Sequence, residues 1–67
     1  MDPKFPEIEV TLTGADGNAF AILGTVKKAL KESGMVTPEE IKAFMDEATS
    51  GDYDHLLQTC MFWVTVY

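Results

Sequence analysis

Gly14, Asp16, Gly17, Asn18 and Phe20 fall in the run GADGNAF, between a segment of alternating character and an apolar helical pattern. Glycines ahead of a helix leave backbone N–H groups converging on one spot, and such groups bind phosphate or carboxylate oxygens. The run is therefore a candidate ligand or anion loop. It departs from the known cradles in three ways. No lysine or Ser/Thr directly follows Gly17, as a triphosphate-binding loop requires. The third glycine of a dinucleotide fingerprint is missing. Asp16 puts a negative charge where a phosphate would sit. A tight turn with Asn18 as the cap of the next helix accounts for the same residues and is the preferred reading.

Other reactive side chains carry less. His55 stands in DYDH, where a histidine beside carboxylates could act as an oriented general base. Adjacent residues on a helix diverge, however, so Asp54 does not face His55, and only Asp52 has the spacing to reach it. Cys60 would be a nucleophile only with an electropositive neighbourhood to hold its thiolate, and its surroundings, QTCMFWV, are apolar or neutral. A small buried hydrophobe is expected there. Glu39, Glu40, Asp46 and Glu47 lack calcium-loop spacing. The first two suit a helix N-terminus, and the others suit a solvated face. One cysteine and one histidine cannot build a structural zinc site of about four ligands. No catalytic residue, metal-ligand set or cofactor is assigned.

The aromatic end offers a different chemistry. Phe62, Trp63 and Tyr67 crowd the last six residues. Phe62 and Trp63 are about 100° apart on a helix and on opposite faces of a strand, so in either form one of them is hard to bury in a small core. Exposed aromatic patches mark interfaces, and Trp and Tyr are enriched among contact hot spots. Phe62, Trp63 and Tyr67, with Val10 on a strand edge, are the expected interface, most simply that of a homodimer.

Four elements must position these residues. EIEVTLT, residues 7–13, alternates, with Ile8, Val10 and Leu12 on one side and Glu9, Thr11 and Thr13 on the other, as in a half-buried strand. A first helix is expected from about Ala19 to Ser33, capped by Asn18 with Asp16 as competitor. Its inner face is Ala19, Leu23, Val26 and Leu30, widened by Ile22 and Ala29. Gly34 suits a left-handed stop, with Met35 folding back on Leu30. VTPEEI then carries the strongest start signal in the chain. Thr37 is the cap, Pro38 the first helical residue and Glu40 the partner in a capping box, with Val36 and Ile41 as staple. Ser50 and Gly51 end that helix. A third helix is expected from Tyr53 to Phe62 or Trp63, with Tyr53, Leu57, Cys60 or Met61, and Val64 on one face. A short extended tail follows and can pair with the N-terminal strand. The fold class is α+β: one strand, three helices and that tail.

Composition bounds the function. A single domain of 67 residues buries only about 60% of the surface its unfolded chain exposes, so helix packing or oligomerisation must supply stability. A lone cysteine suits a reducing compartment. No run approaches the ~20 apolar residues of a membrane helix, and the start lacks the pattern of a signal peptide. A soluble, cytoplasmic protein is expected. Eleven acids face five lysines, with no arginine, for a net charge of −6. Residues 37–67 carry −5 of this, as Glu39, Glu40, Asp46, Glu47, Asp52 and Asp54 face Lys42 alone. Such a surface repels phosphates, which argues against direct nucleic-acid binding.

LTGADGNAFAILGTVKKAL and FMDEATSGDYDHLLQT resemble a small uncharacterised protein family of bacteria and their phages, over roughly Phe5 to Val66. The resemblance implies origin and compactness but no agreed activity and no catalytic residues. The first functional expectation is a non-enzymatic, acidic interaction protein that self-associates. The alternative is a phage-type anti-defence protein. It would block a host protein with its acidic face or sequester a small signalling nucleotide in an oligomer cleft lined by GADGN and nearby lysines.

Overall fold

A computed structural model describes residues 2–11 and 18–67. The order of elements is β1 (Phe5–Val10), α1 (Ala19–Ser33), α2 (Pro38–Ala48), α3 (Tyr53–Trp63) and β2 (Val64–Val66). The class is α+β, and the C-terminal tail does pair with the N-terminal strand. The pairing is parallel. Parallel neighbours need a crossover between them, and here the three helices supply it.

The strand is displaced from its expected span. It begins at Phe5 and ends at Val10, whereas alternation suggested residues 7–13, of which Leu12 and Thr13 lie outside the described residues. Alternation reports which face is buried, whereas the ladder runs only where a partner backbone lies alongside. Phe5 is registered with Val64, Glu9 with Thr65 and Val10 with Val66, so the strand bulges between Phe5 and Glu9. Pro6 sits in that bulge, where its missing N–H costs no ladder bond. The Thr65 hydroxyl crosses the gap and donates to the Pro6 carbonyl at 2.9 Å. Lys4 N–H donates to the Phe62 carbonyl at 2.6 Å and Tyr67 N–H to the Val10 carbonyl at 2.9 Å, extending the pairing at both ends.

The helix limits follow from their caps. Asn18 accepts the Phe20 N–H at 2.8 Å and opens α1. Gly34, at φ 71°, closes it in the left-handed region. The stop is relayed through a serine: Met35 N–H donates to Ser33 Oγ, which donates to the Leu30 carbonyl. Met35 itself is half exposed. In α2 both halves of the capping box form. Thr37 Oγ1 accepts Glu40 N–H, and Glu40 Oε1 accepts Thr37 N–H, each at 3.1 Å.

The core gathers Ile8 and Val10 from β1, Ile22, Leu23, Val26 and Leu30 from α1, Phe44 and Ala48 from α2, Leu56 and Cys60 from α3, and Val64. The inner face of α3 is corrected. Leu56, Thr59 and Cys60 are buried, while Tyr53 and Met61 are exposed. The helix is turned about one residue from the expected stripe, because Trp63 must reach Phe44 and Val64 must enter the core. Thr59 tolerates burial since its hydroxyl donates to the His55 carbonyl at 2.8 Å.

Gly24 is unusual. It lies inside α1, and a Cβ placed there would meet nothing within 4 Å. Glycine in a helix interior costs about 1 kcal/mol against alanine, and no contact within the fold requires it. Gly24→Ala should therefore raise folding stability by about 1 kcal/mol. Thr37→Ala should lower it by about the same amount through loss of the capping box. Urea unfolding followed by circular dichroism reads both; a destabilised Gly24→Ala would contradict the open space beside that residue.

Candidate functional site

Three regions could carry function: the end of α2 around His55, the clasp around Trp63, and the α1–α2 groove.

At the first, Thr49, Ser50 and His55 converge on the last carbonyls of α2. Thr49 Oγ1 donates to the Met45 carbonyl at 2.7 Å, and Ser50 Oγ to the Glu47 carbonyl at 2.7 Å. His55 Nε2 lies 2.9 Å from that same Glu47 carbonyl, 3.1 Å from Ser50 Oγ and 3.5 Å from Glu47 Oε2. Serine, histidine and glutamate together suggest nucleophilic chemistry, but the geometry is that of a cap. A carbonyl only accepts, so the hydrogen bond puts a proton on Nε2, the nitrogen that would have to take one from Ser50. The carboxylate also approaches Nε2, and not the opposite nitrogen where an orienting acid belongs. Asp52, expected to reach the imidazole, instead accepts the His55 backbone N–H at 2.9 Å and caps α3. Asp52 is thus committed to the backbone, and Glu47 is the acid beside the ring. Gly51 makes the approach possible, since a Cβ there would lie 2.9 Å from the His55 side chain.

Cys60 is fully buried, and burial raises its thiol from 9.0 to about 11, against a smaller lowering by a backbone hydrogen bond. A thiol so protonated is a poor nucleophile at neutral pH. Among the described residues, no three His, Cys, Asp or Glu side chains are grouped so as to hold a metal ion.

At the second region, Trp63 joins the two ends of the chain. Its ring lies 6.0 Å from that of Phe5 and edge-on to Phe44 at 5.6 Å, with Lys4 Nζ 4.5 Å over its face. Trp63 is thus half buried within its own chain. Val10, expected at an interface, is 4% exposed and belongs to the core. The correction has a simple cause: the strand edge it was placed on is the one that β2 covers. Phe62 and Tyr67 remain open, at 49% and 60%. The Tyr67 hydroxyl is held protonated above its usual range, first by the Glu9 charge, then by burial and a hydrogen bond to Glu9. Phe62 and Trp63 also line a pocket of about 310 Å³ with Glu47 and His55.

The third region is one that sequence reasoning passed over. Lys27 and Lys31 of α1 and Lys42 of α2 rim an open groove of about 480 Å³ floored by Pro38, Ile41 and Met45. A smaller pocket of about 260 Å³ lies at the other end of α1, bordered by Phe20, Thr49, Asp52 and Tyr53. Helical spacing puts Lys27 and Lys31 on one side of α1, but nothing in that spacing reveals that α2 brings Lys42 beside them.

Of the proposed ligand loop, Gly14, Asp16 and Gly17 lie outside the described residues. Asn18 caps α1, and the Phe20 N–H is taken by that cap. The Phe20 ring is 84% exposed. No described helix is long and apolar enough to cross a membrane. No protein-family model, curated protein or solved structure matches the chain.

Two measurements check these assignments. Cys60 in the folded protein should resist iodoacetamide at pH 8 and react on unfolding. Its raised pKa contributes stability that is complete below about pH 9 and is lost as pH climbs toward about 11. Rapid native alkylation would contradict the burial. His55→Ala should cost about 1 kcal/mol by removing a cap on α2, and Gly51→Ala should destabilise by forcing His55 off that carbonyl. Equal unfolding midpoints for Gly51→Ala and wild type would overturn the capping role.

Proposed function

We propose that the protein is a non-enzymatic interaction protein. In this reading it self-associates and presents its C-terminal aromatic end to another protein. The observation that carries the reading is the exposure of large apolar side chains on so small a body: Phe20, Met35, Tyr53, Met61, Phe62 and Tyr67. Isolated apolar side chains on a surface are ordinary, but Phe62 lines a pocket together with the half-buried Trp63. Rigid aromatics at a surface cost little entropy to immobilise, which is why they dominate contact energetics. The two-stranded sheet adds a reason for association, because each described strand is paired on one side only.

The resemblance to a small bacterial and phage family fits this reading, as does a cytoplasmic setting. Asp46, Glu47, Asp52 and Asp54 are all exposed, which favours one form of the anti-defence alternative, an acidic face set against a basic surface of a host protein. Opposed charges of this kind speed and select encounter more than they tighten it.

Sedimentation equilibrium should show a mass above 7.4 kDa that falls on dilution. A constant 7.4 kDa over a wide concentration range would remove self-association. In pull-downs from host lysate, a Phe62→Ser, Tyr67→Ser double variant should lose partners that the wild type retains. Trp63→Ala is a poor probe, since loss of its packing should cost about 3–5 kcal/mol of folding stability. If salt and Asp46→Lys abolish capture while the aromatic variant does not, the acidic face is the contact surface.

A further inference from the structure

We propose that two copies of the chain join as an antiparallel pair through α1, crossing at Gly24, with Phe20 of each copy seated in the lysine-rimmed groove of the other. This rests on the self-association reading and assigns it a surface.

The stripe comes from helical spacing. Phe20, Gly24, Lys27 and Lys31 recur at i, i+4, i+7 and i+11, so they share one side of α1. That side is turned from the core residues Ile22, Leu23, Val26 and Leu30 toward the edge with α2, because Lys27 and Lys31 line the groove with Ile41 and Met45. Phe20 is the most exposed large apolar side chain among the described residues. Gly24 is the one position of the stripe without a side chain, and the fold gives no reason for it. A glycine on an exposed helix face lets a second backbone come close.

The register then follows from the rise of about 1.5 Å per residue. Phe20 lies about 6 Å from Gly24 toward the N-terminus. Lys27 and Lys31 lie about 4.5 and 10.5 Å away toward the C-terminus. Reversing a second α1 about Gly24 places its Phe20 between Lys27 and Lys31, over the apolar floor of Ile41 and Met45. An aromatic ring among ammonium groups gains from their attraction to its face. The arrangement is isologous, so each copy gives one phenylalanine and receives one, and the contact closes at two.

Charge favours the same orientation. Three of the five lysines rim this groove in a chain of net charge −6. The opposite end of α1, with Phe20, is bordered by Asp52 and Tyr53. The reversed pair brings the basic end of one copy against the acidic end of the other. For a body of net charge −6, such pairing of opposite charges offsets part of the repulsion between two copies.

The test uses the whole chain with Cys60→Ser, so that an added thiol has no competitor. Two-fold symmetry sets Gly24 against Gly24, so Gly24→Cys should form an intersubunit disulfide under mild oxidation. Lys31→Cys should not, since its copies stand about 21 Å apart along the axis. Phe20→Ser should reduce the sedimenting mass to that of the monomer, whereas Phe62→Ser should leave it unchanged. Gly24→Ala should weaken the pair at least tenfold while raising the melting temperature, an outcome that misfolding cannot imitate. A wild-type dimer that keeps its mass in Phe20→Ser, or that cross-links through Lys31→Cys and not Gly24→Cys, overturns this interface and leaves self-association standing. A wild type that is monomeric at every concentration defeats both.

Discussion

The parallel pairing of β1 with β2 is the constraint on which the structure turns. It brings together the two ends of the described chain, and parallel strands cannot be joined by a tight turn. Everything between them must therefore form a crossover and return. Closing so long a loop carries an entropic cost that grows slowly with its length, and three strand residues cannot offset it by hydrogen bonding alone. Trp63 supplies the rest. Its ring contacts Phe5 from one end of the chain and meets Phe44 of α2 edge-on, with Lys4 over its face.

That clasp fixes the rotation of α3. With Trp63 turned inward, Leu56, Thr59 and Cys60 follow it, and Phe62 and Met61 are carried outward. The open aromatic surface is thus a by-product of the same contact that closes the fold. His55 belongs to the same chain of consequences. Once α3 is set, its imidazole meets the end of α2 and satisfies a carbonyl there, which gives the residue a structural role. Thr49 and Ser50 converge there for the same reason, since their hydroxyls, like the His55 ring, answer the carbonyls left over at a helix terminus.

Stability and recognition are separated in α1. One side of that helix is closely buried, while the other carries a glycine that weakens the helix, an exposed phenylalanine and two lysines. A residue that costs folding stability and serves no internal contact is the kind of local inconsistency that binding surfaces produce.

Local chemistry made the helices legible in advance. Asn18, Thr37 with Pro38 and Glu40, Asp52, and Gly34 mark starts and stops because capping depends on atoms within three or four residues. The limits of α1 and α2, and the inner face of α1, follow from those signals and from 3.6-residue periodicity. The sequence likewise determined that Cys60 would be a buried thiol and that one of the last aromatics would stay exposed. Tertiary structure alone decided which partner each strand takes, that the pairing is parallel with a bulge at Pro6, and that α3 is turned one residue from its apparent stripe. It alone set Glu47 beside His55 and gathered Lys42 with Lys27 and Lys31. Each of these depends on side chains remote in sequence meeting across the crossover, and local periodicity carries no information about where a helix lands.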